Sequence, residues 1–319
     1  MSVVNDAVPT IDLAAAHDGE QKRAALVAAI DDACRGTGFF ALTGHDIDAP
    51  LRLEMLDAAR AFFALPDEAK RSIAIEQSQN HCGYATFGGE RLQPDLLGDA
   101  KETLDFGIER SAEDPGCSPL EGPNQWPNIS GFRATVERYQ SAALQTADTV
   151  LGLIAEALEL PTDFFREWFV HPLAGTRMVH YPPVSEQELD VQLGCGAHSD
   201  YGCITLLATD GTPGLQLLRR DDTWVDVQVP DDALIVNIGD LLGRWTNDRY
   251  RSTQHRVLSP TDRHRFAVPV FIDPAYDTPV ECLASCTSPE DPPRYAPITA
   301  GAFIQSRFDD TFAYRATED

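Results

Sequence analysis

Basic residues are scarce in this chain of 319 residues. Lysine and arginine number 25 against 50 aspartates and glutamates, which gives a formal net charge of -25 at neutral pH. A uniform excess of acid disfavours binding to the phosphate backbone of nucleic acids and to anionic membrane surfaces. We therefore expect neither nucleic acid nor a membrane as a partner, and the charge itself predicts only a well-solvated surface.

Long apolar runs are also missing, although 43% of the residues are hydrophobic. No run approaches the roughly 20 residues of a membrane-spanning helix, and the N-terminus lacks the basic start and apolar core of a secretory signal. The seven cysteines form no zinc-site spacing, since Cys282 and Cys286 have no second pair or nearby histidine. These absences predict a cytoplasmic protein with reduced thiols.

The spacing of apolar residues changes at about Pro172. Before it, apolar residues recur at helical spacing, and the predicted helices are 20–35, 48–65 and 132–160, with Asp48 as the cap of the second. After it, short β-type runs alternate with turns, at residues 175–181, 192–198, 203–208, 214–219, 223–228, 233–238, 249–258 and 265–272. A helical first half followed by an all-β second half predicts an α+β fold built on a sandwich or barrel.

These two patterns together predict one domain that spans residues 1–319. Residues 1–172 form a mainly helical lead-in with a few strands, 173–275 the β core, and 276–319 a C-terminal loop and helix, with the helix predicted from Pro297 to Phe312. The lead-in has too little apolar sequence for a core of its own, so its Pro- and Gly-rich stretch at 111–130 is predicted to be a loop within the fold.

The most informative motif is His198-Ser199-Asp200, at the head of an apolar, β-rich run. On a strand, positions i and i+2 point to the same side, so one imidazole and one carboxylate can reach a single metal ion. Isolated pairs of this kind are also common in surface turns. The surrounding sequence therefore has to supply a third ligand.

Among the eight histidines, His255 is the best candidate for that ligand, late in a β-type run. Strands far apart in sequence become neighbours in a jelly roll, so it can approach the first pair. Two histidines and one carboxylate on one face of an ion leave its other positions open, as in non-haem Fe(II) oxygenases. His180 is the weaker candidate, because strand alternation allows only one of His180 and Tyr181 to face inward, and we expect Tyr181 to do so.

Arg265 stands at the head of an otherwise apolar strand, where a solvated charge is hard to explain. Its planar fork suits a carboxylate bidentately, and the Tyr181 hydroxyl could bind the same carboxylate. A structural ion pair with an acidic neighbour is the other interpretation of Arg265.

With these residues in view, the chain resembles the isopenicillin N synthase-like family of Fe(II)/2-oxoglutarate-dependent oxygenases over nearly its whole length. The segments that carry the resemblance are Val8–Asp12, Gly38–Phe40, Gly83–Tyr84, Lys101–Glu102, Arg177–Pro183, His198–Gly202, Gly214–Gln216, Asn237–Asp240, Trp245–Asn247 and Ser252–Val257.

The resemblance implies a distorted double-stranded β-helix, or jelly roll, with flanking N-terminal and C-terminal helices. It implies that His198, Asp200 and His255 hold Fe(II), and that Arg265 and Tyr181 hold the distal carboxylate of 2-oxoglutarate. The implied reaction uses dioxygen and 2-oxoglutarate to oxidise an unactivated C–H bond of a small molecule in biosynthetic metabolism, by hydroxylation, desaturation or cyclisation.

Ala267 departs from the family pattern, which usually has Arg-x-Ser on the co-substrate strand. A missing hydroxyl costs on the order of 1 kcal/mol of co-substrate binding. This departure leaves open a four-electron oxidase that does not use 2-oxoglutarate, like isopenicillin N synthase itself. A non-catalytic metal-dependent binding protein on the same fold is a further alternative.

Substrate-side residues are predicted from their position on the strands and loops. Phe271 shares the strand face of Arg265, and in similar enzymes this position lines the substrate pocket. Tyr84, from a glycine-rich segment predicted to be a loop, and Val179 are the other predicted pocket residues, with core packing as the alternative for each.

Overall fold

Helices lie mainly in the first half of the chain and strands in the second, as the sequence predicts. A computed structural model describes residues 8–311, apart from 94, 112, 115–116 and 189–190. The helices are α1 (Glu20–Gly36), α2 (Ala49–Phe63), α3 (Asp67–Arg71), α4 (Phe132–Ala157), α5 (Asp240–Trp245) and α6 (Ala300–Thr311). None of these helices is long and apolar enough to cross a bilayer.

The strands are short, and most belong to the second half of the chain. They are β1 (Thr10–Asp12), β2 (Phe39–Thr43), β3 (Gly83–Ala85), β4 (Glu102–Phe106), β5 (Leu173–Tyr181), β6 (Cys195–His198), β7 (Ile204–Thr209), β8 (Leu215–Leu218), β9 (Trp224–Asp226), β10 (Leu234–Ile238), β11 (His255–Val257), β12 (Arg265–Asp273), β13 (Pro279–Val280) and β14 (Ile298–Thr299).

Two sheets form the jelly roll and enclose the site. The larger has the order β1-β2-β10-β7-β12-β5-β4-β3, and the smaller β6-β11-β8-β9. Strand pairing in these two sheets is antiparallel except between β1 and β2. Alternate residues on β5 and β12 therefore face either the space between the sheets or the helices behind the larger sheet.

Helices α2 and α4 cover the outer face of the larger sheet. The Asp48 carboxylate caps α2 by accepting a hydrogen bond from the Leu51 amide at 2.8 Å, in agreement with the predicted cap. Both α1 and α2 pack on α4, whose buried residues join the main core with side chains such as Met178 and Val268. The lead-in thus contributes to one core shared with the larger sheet.

The structure differs from the sequence prediction in three places near the site. The strand predicted at 249–258 is reduced to β11, because residues before it turn toward α1, where the Arg251 amide donates to the Cys34 carbonyl. A short helix, α5, follows β10 directly. Finally, β3 replaces part of a predicted loop by pairing with β4. The C-terminal helix begins at Ala300, and Phe312, its predicted end, lies outside the described residues.

Candidate active site

The two histidines of the predicted metal site lie opposite each other on neighbouring strands. His198 ends β6, His255 begins β11, and the two residues are paired in the antiparallel register. Their ring centroids are 4.3 Å apart. Asp200 follows two positions after His198, at the start of the turn that leads into β7. Antiparallel pairing therefore brings together groups that are distant in sequence.

The three side chains offer ligand atoms that converge on one point. The Oδ1 atom of Asp200 lies 3.8 Å from Nε2 of His198 and 3.7 Å from Nε2 of His255. All three ligand atoms lie within 4.8 Å of one another. Asp200 and His255 are buried, whereas His198 is partly exposed to the cavity. This spacing accommodates one ion bound to two imidazoles and one carboxylate.

Hydrogen bonds on the outer side of each group determine which of its atoms points toward the other two groups. The Nδ1 atoms of His198 and His255 lie 2.8 Å and 3.1 Å from the carbonyl oxygens of Gly196 and Thr253, respectively. Each Nδ1–H can donate to its carbonyl, which leaves Nε2 free as a ligand. For Asp200, the Asn237 amide donates to Oδ2 at 2.6 Å.

Thr205 completes the support of Asp200, because its hydroxyl also donates to Oδ2. The two hydrogen bonds on Oδ2 leave Oδ1 directed at the histidines. The sequence prediction gave neither Asn237 nor Thr205 a role. Asn237 had a signal, since it interrupts the apolar strand Leu234–Ile238, and a buried amide needs a partner.

Burial and the neighbouring groups set the protonation states of His255 and Asp200. Burial, together with the nearby His198, lowers the pKa of His255 to about 4, so this imidazole is neutral at pH 7. Burial opposes the charge of Asp200, but the two histidines and the hydrogen bonds from Asn237 and Thr205 lower its pKa below the ordinary value. A neutral imidazole beside an ionised carboxylate is the protonation state that binds a metal.

On the larger sheet, Arg265 at the start of β12 lies beside Tyr181 at the end of β5. They are paired in register between β12 and β5, and the guanidinium carbon lies 4.8 Å from the centroid of the tyrosine ring. Arg265 is 1% exposed, and its Nε–H donates to the Thr212 carbonyl at 3.2 Å. Its buried Nη1 has no hydrogen-bond partner among the described residues. An unpaired buried donor of this kind fits an anionic ligand that completes the site.

Tyr181 can supply a second donor at this position. Burial raises the pKa of Tyr181 to about 12, so the hydroxyl keeps its proton at neutral pH. Its neighbour His180 faces the other side of the sheet, where Nδ1 lies 2.7 Å from Oε1 of Glu102 and Nε2 lies 2.7 Å from Nδ1 of His264. His180 and Tyr181 therefore face opposite sides of the sheet, and Tyr181 is the one that lines the cavity.

We call His198, Asp200 and His255 the metal trio. One cavity of about 220 Å³ connects the metal trio with Arg265 and Tyr181. Phe271 and Val179 line it. Tyr84 does not. It lies on the helix side of the larger sheet, where its hydroxyl donates to Glu102 and its ring centroid is 5.8 Å from that of Phe62. The loop prediction missed strand β3, whose pairing with β4 determines which way Tyr84 points.

The fold and the donor set define a class, the non-haem iron oxygenases, and the comparisons define the family. The model of the 2OG-Fe(II) oxygenase superfamily matches residues 173–274. The model described as the N-terminal region of a non-haem dioxygenase in morphine synthesis matches residues 8–129. The chain belongs to the 2OG-Fe(II) oxygenase superfamily and is a non-haem iron, 2-oxoglutarate-dependent dioxygenase.

Curated relatives agree with this assignment. The chain is 38% identical to the 2-oxoglutarate-Fe(II) type oxidoreductase hxnY of Emericella nidulans, with 91% of this chain and 86% of the relative covered. It is 32% identical to the 2-oxoglutarate-dependent dioxygenase tropC of Talaromyces stipitatus, with 86% of this chain and 88% of the relative covered.

A solved structure extends the likeness to the whole fold. The chain is similar to a full-length Neurospora crassa protein crystallised in complex with alpha-KG and thymine. The TM-score is 0.85 and the identity 26%, with 97% of this chain and 98% of that chain covered.

Proposed function

We propose that His198, Asp200 and His255 hold the Fe(II), and that Arg265 and Tyr181 bind the distal carboxylate of 2-oxoglutarate. Phe271 and Val179 then form part of the wall against which the substrate packs. One domain spanning 1–319 carries the site, with 1–172 as lead-in, 173–275 as β core and 276–319 as C-terminal loop and helix. The observation that carries the proposal is the convergence of two Nε2 atoms and one carboxylate oxygen within 4.8 Å.

When bound, Fe(II) supplies the activation of dioxygen that couples oxidation of 2-oxoglutarate to succinate and carbon dioxide with oxidation of a substrate C–H bond. The chain's own residues orient the reactants. Carbonyl oxygens fix both histidine rings, Asn237 and Thr205 fix Asp200, and Arg265 fixes one end of the co-substrate. Apolar residues such as Val179 and Phe271 exclude bulk water from the cavity.

The substrate is a small organic molecule. The solved relative from Neurospora crassa was crystallised with thymine, and a cavity of about 220 Å³ has the scale of such a ligand. We also propose a cytoplasmic location, which the seven free thiols support. The net charge of -25 supports the expectation that nucleic acids and anionic membranes are not partners.

A four-electron oxidase without a co-substrate is the alternative that Ala267 leaves open on sequence grounds. Arg265 does not decide between the two reactions, because a buried guanidinium whose Nη1 has no partner among the described residues could also bind a carboxylate of the substrate. The relatives reported above are named for their use of 2-oxoglutarate. These names favour the 2-oxoglutarate-dependent reaction.

The test measures 2-oxoglutarate binding to the Fe(II)-loaded protein by calorimetry without oxygen. Arg265→Gln removes the charge-assisted pair, and we expect the affinity to fall by about 30-fold or more. Arg263→Gln is the matched control, because that arginine is 65% exposed and pairs with its neighbour Asp262. Equal affinities in both variants would assign the co-substrate to another position.

A further inference from the structure

A second set of charged residues lines the cavity, away from the proposed ligands of iron and 2-oxoglutarate. On β5, Gly175, Arg177, Val179 and Tyr181 alternate along the strand, and all four line the cavity. Arg177 therefore lies on the same sheet face as Tyr181, but closer to Phe271. The activity described so far gives this arginine no role.

Two carboxylates hold the Arg177 guanidinium in place. Its Nε–H donates to Oδ1 of Asp105 at 2.6 Å, and its Nη1 lies 2.9 Å from Oε1 of Glu90. A guanidinium has five N–H groups, and these two contacts leave others for a ligand. The side chain is 16% exposed, on the cavity that it lines. Arg177 is therefore both rigidly positioned and accessible to a substrate.

Carboxylates outnumber cations around Arg177. Lys101 lies 2.8 Å from Glu90 and 2.9 Å from Asp99, so two cations and three carboxylates form one buried group. We call these residues the Lys101 cluster; its members are Glu90, Asp99, Lys101, Asp105 and Arg177. Because the three carboxylates outnumber the two cations, an anionic substrate gains no net attraction here. A neutral acceptor still gains a charge-assisted hydrogen bond from Arg177.

An aromatic surface lies beside this donor. The guanidinium carbon of Arg177 is 5.9 Å from the centroid of the Phe271 ring. Phe271 is paired with Gly175 on one side and with Thr205 on the other. Gly175 adds no side chain next to the ring, while Thr205 donates to Asp200 of the metal trio. A flat group packed against Phe271 would therefore lie next to the metal ligands.

We propose that Arg177 and Phe271 select a neutral, planar ring that carries a carbonyl or amide oxygen. The oxygen accepts hydrogen bonds from Arg177, and the ring packs against Phe271 with the carbon to be oxidised on the side of Asp200. This selection rests on the proposed function of the same cavity. It assigns Arg177 as a specificity-determining residue.

The test compares four probes that share one ring and differ in charge and acceptor: benzamide, benzoate, benzylammonium and toluene. Their affinities are measured by calorimetry for the protein with Fe(II) and 2-oxoglutarate, without oxygen, and again for the protein without either. We expect benzamide to bind about tenfold more tightly than each of the other three, as one charge-assisted hydrogen bond implies. Another probe that binds as tightly, or a failure of all four to bind, would overturn the proposal.

The double variant Arg177→Met/Asp105→Asn removes one charge of each sign, so it changes the donor without changing the net charge. We expect it to lose the preference for benzamide and to bind toluene as before. Arg166→Gln is the control, because that arginine forms an exposed pair with Asp148. If the double variant does not fold, Arg177→Lys decides: a several-fold loss for benzamide alone supports the proposal, and no loss overturns it.

Failure of this inference can be told apart from failure of the proposed function. Titration of 2-oxoglutarate into the wild-type protein tests the proposed function without any probe. Normal 2-oxoglutarate binding with no preference for benzamide would reject only the role of Arg177. Absent 2-oxoglutarate binding would reject the proposed function, while the probe series without iron still decides the role of Arg177.

Discussion

The metal trio and the Lys101 cluster are both buried groups of charged or polar side chains on one cavity, yet their pairing differs. In the Lys101 cluster, each charge has an opposite charge within 2.9 Å. In the trio, the closest contacts between the groups are 3.7 Å and 3.8 Å, and the hydrogen bonds lie on the outer sides. The cluster is satisfied by itself, whereas the trio leaves its inner atoms for a cation.

The difference also separates what each group does for the fold. Desolvation of a charge costs several kcal/mol unless a partner compensates it. The stability of the fold therefore depends on the ion pairs within the Lys101 cluster. The cluster also supports β6, the strand that carries His198, because Asp99 accepts a hydrogen bond from the Gly196 backbone amide at 3.0 Å. Changes to the trio should therefore affect ligand binding first, and changes to the cluster should affect stability first.

The largest effect is expected for Asp200→Ala. Loss of the one anionic group among the proposed ligands should lower Fe(II) affinity by about 100-fold or more, since the ion would keep bonds to the two histidines alone. Metal titration and succinate formation measure the two consequences. Asp262→Ala, at an exposed aspartate, is the control. Undiminished iron binding in Asp200→Ala would place the ion away from the trio.

Lys101→Met is the next largest change, and it acts on stability. It leaves Glu90 and Asp99 buried with less compensation, so the free energy of unfolding should fall by about 3–5 kcal/mol. Urea unfolding measures it. Lys22→Met, which breaks an exposed pair with Asp18, should cost less than about 1 kcal/mol. Similar losses in both variants would show that the cluster is not compensating buried charge.

The pH dependence of stability offers a sharper test of the cluster. Burial opposes ionisation of Glu90, but Arg177 and Lys101 outweigh it and lower the pKa of Glu90 to about 2. A lowered carboxyl pKa stabilises the fold above the unfolded pKa of about 4.3, and this contribution is lost as the pH falls toward 2.

Glu90→Gln should therefore cost about 2 kcal/mol at pH 7 and progressively less below a pH of about 4.3. Urea unfolding of both proteins from neutral to acidic pH measures the convergence. A difference between wild type and variant that stays constant over this range would mean that the ion pairs of Glu90 do not contribute to stability.

The smallest effect is expected for Ala267→Ser. Ala267 lies in β12 between Val179 and Thr209, two positions beyond Arg265 on the same face. A serine there would restore the family pattern and add one hydroxyl near the proposed carboxylate site. We expect 2-oxoglutarate affinity to rise several-fold, equivalent to about 1 kcal/mol. An unchanged or lower affinity, measured by calorimetry, would show that residue 267 does not contact the co-substrate.

The sequence predicted those site features that depend on local spacing. The period of two along a strand predicted that His198 and Asp200 share one side and that His180 and Tyr181 face opposite sides. The helical spacing in the lead-in and the cap at Asp48 were equally readable, because both depend on neighbours within one turn. The family resemblance then supported the extension of the site to His255 and Arg265.

Features that depend on partners far along the chain were missed. Tyr84 was predicted to line the pocket, but pairing of β3 with β4 turns it toward Glu102. Thr205 and Asn237 acquire their role only when β7 and β10 lie side by side. Local pattern carries no information about such contacts, because the partners are brought together by sheet register.

By itself, the sequence determined the class of fold, the donor types and the side of the strand on which each donor lies, because these follow from periodicity and side-chain chemistry. Only the tertiary structure decided that His198 and His255 face each other across two strands and that Arg177 meets Glu90 and Asp105. Such distances are fixed by pairing between strands that are far apart in sequence. That pairing leaves the inner atoms of the metal trio open to a cation, whereas the charges of the Lys101 cluster pair with one another.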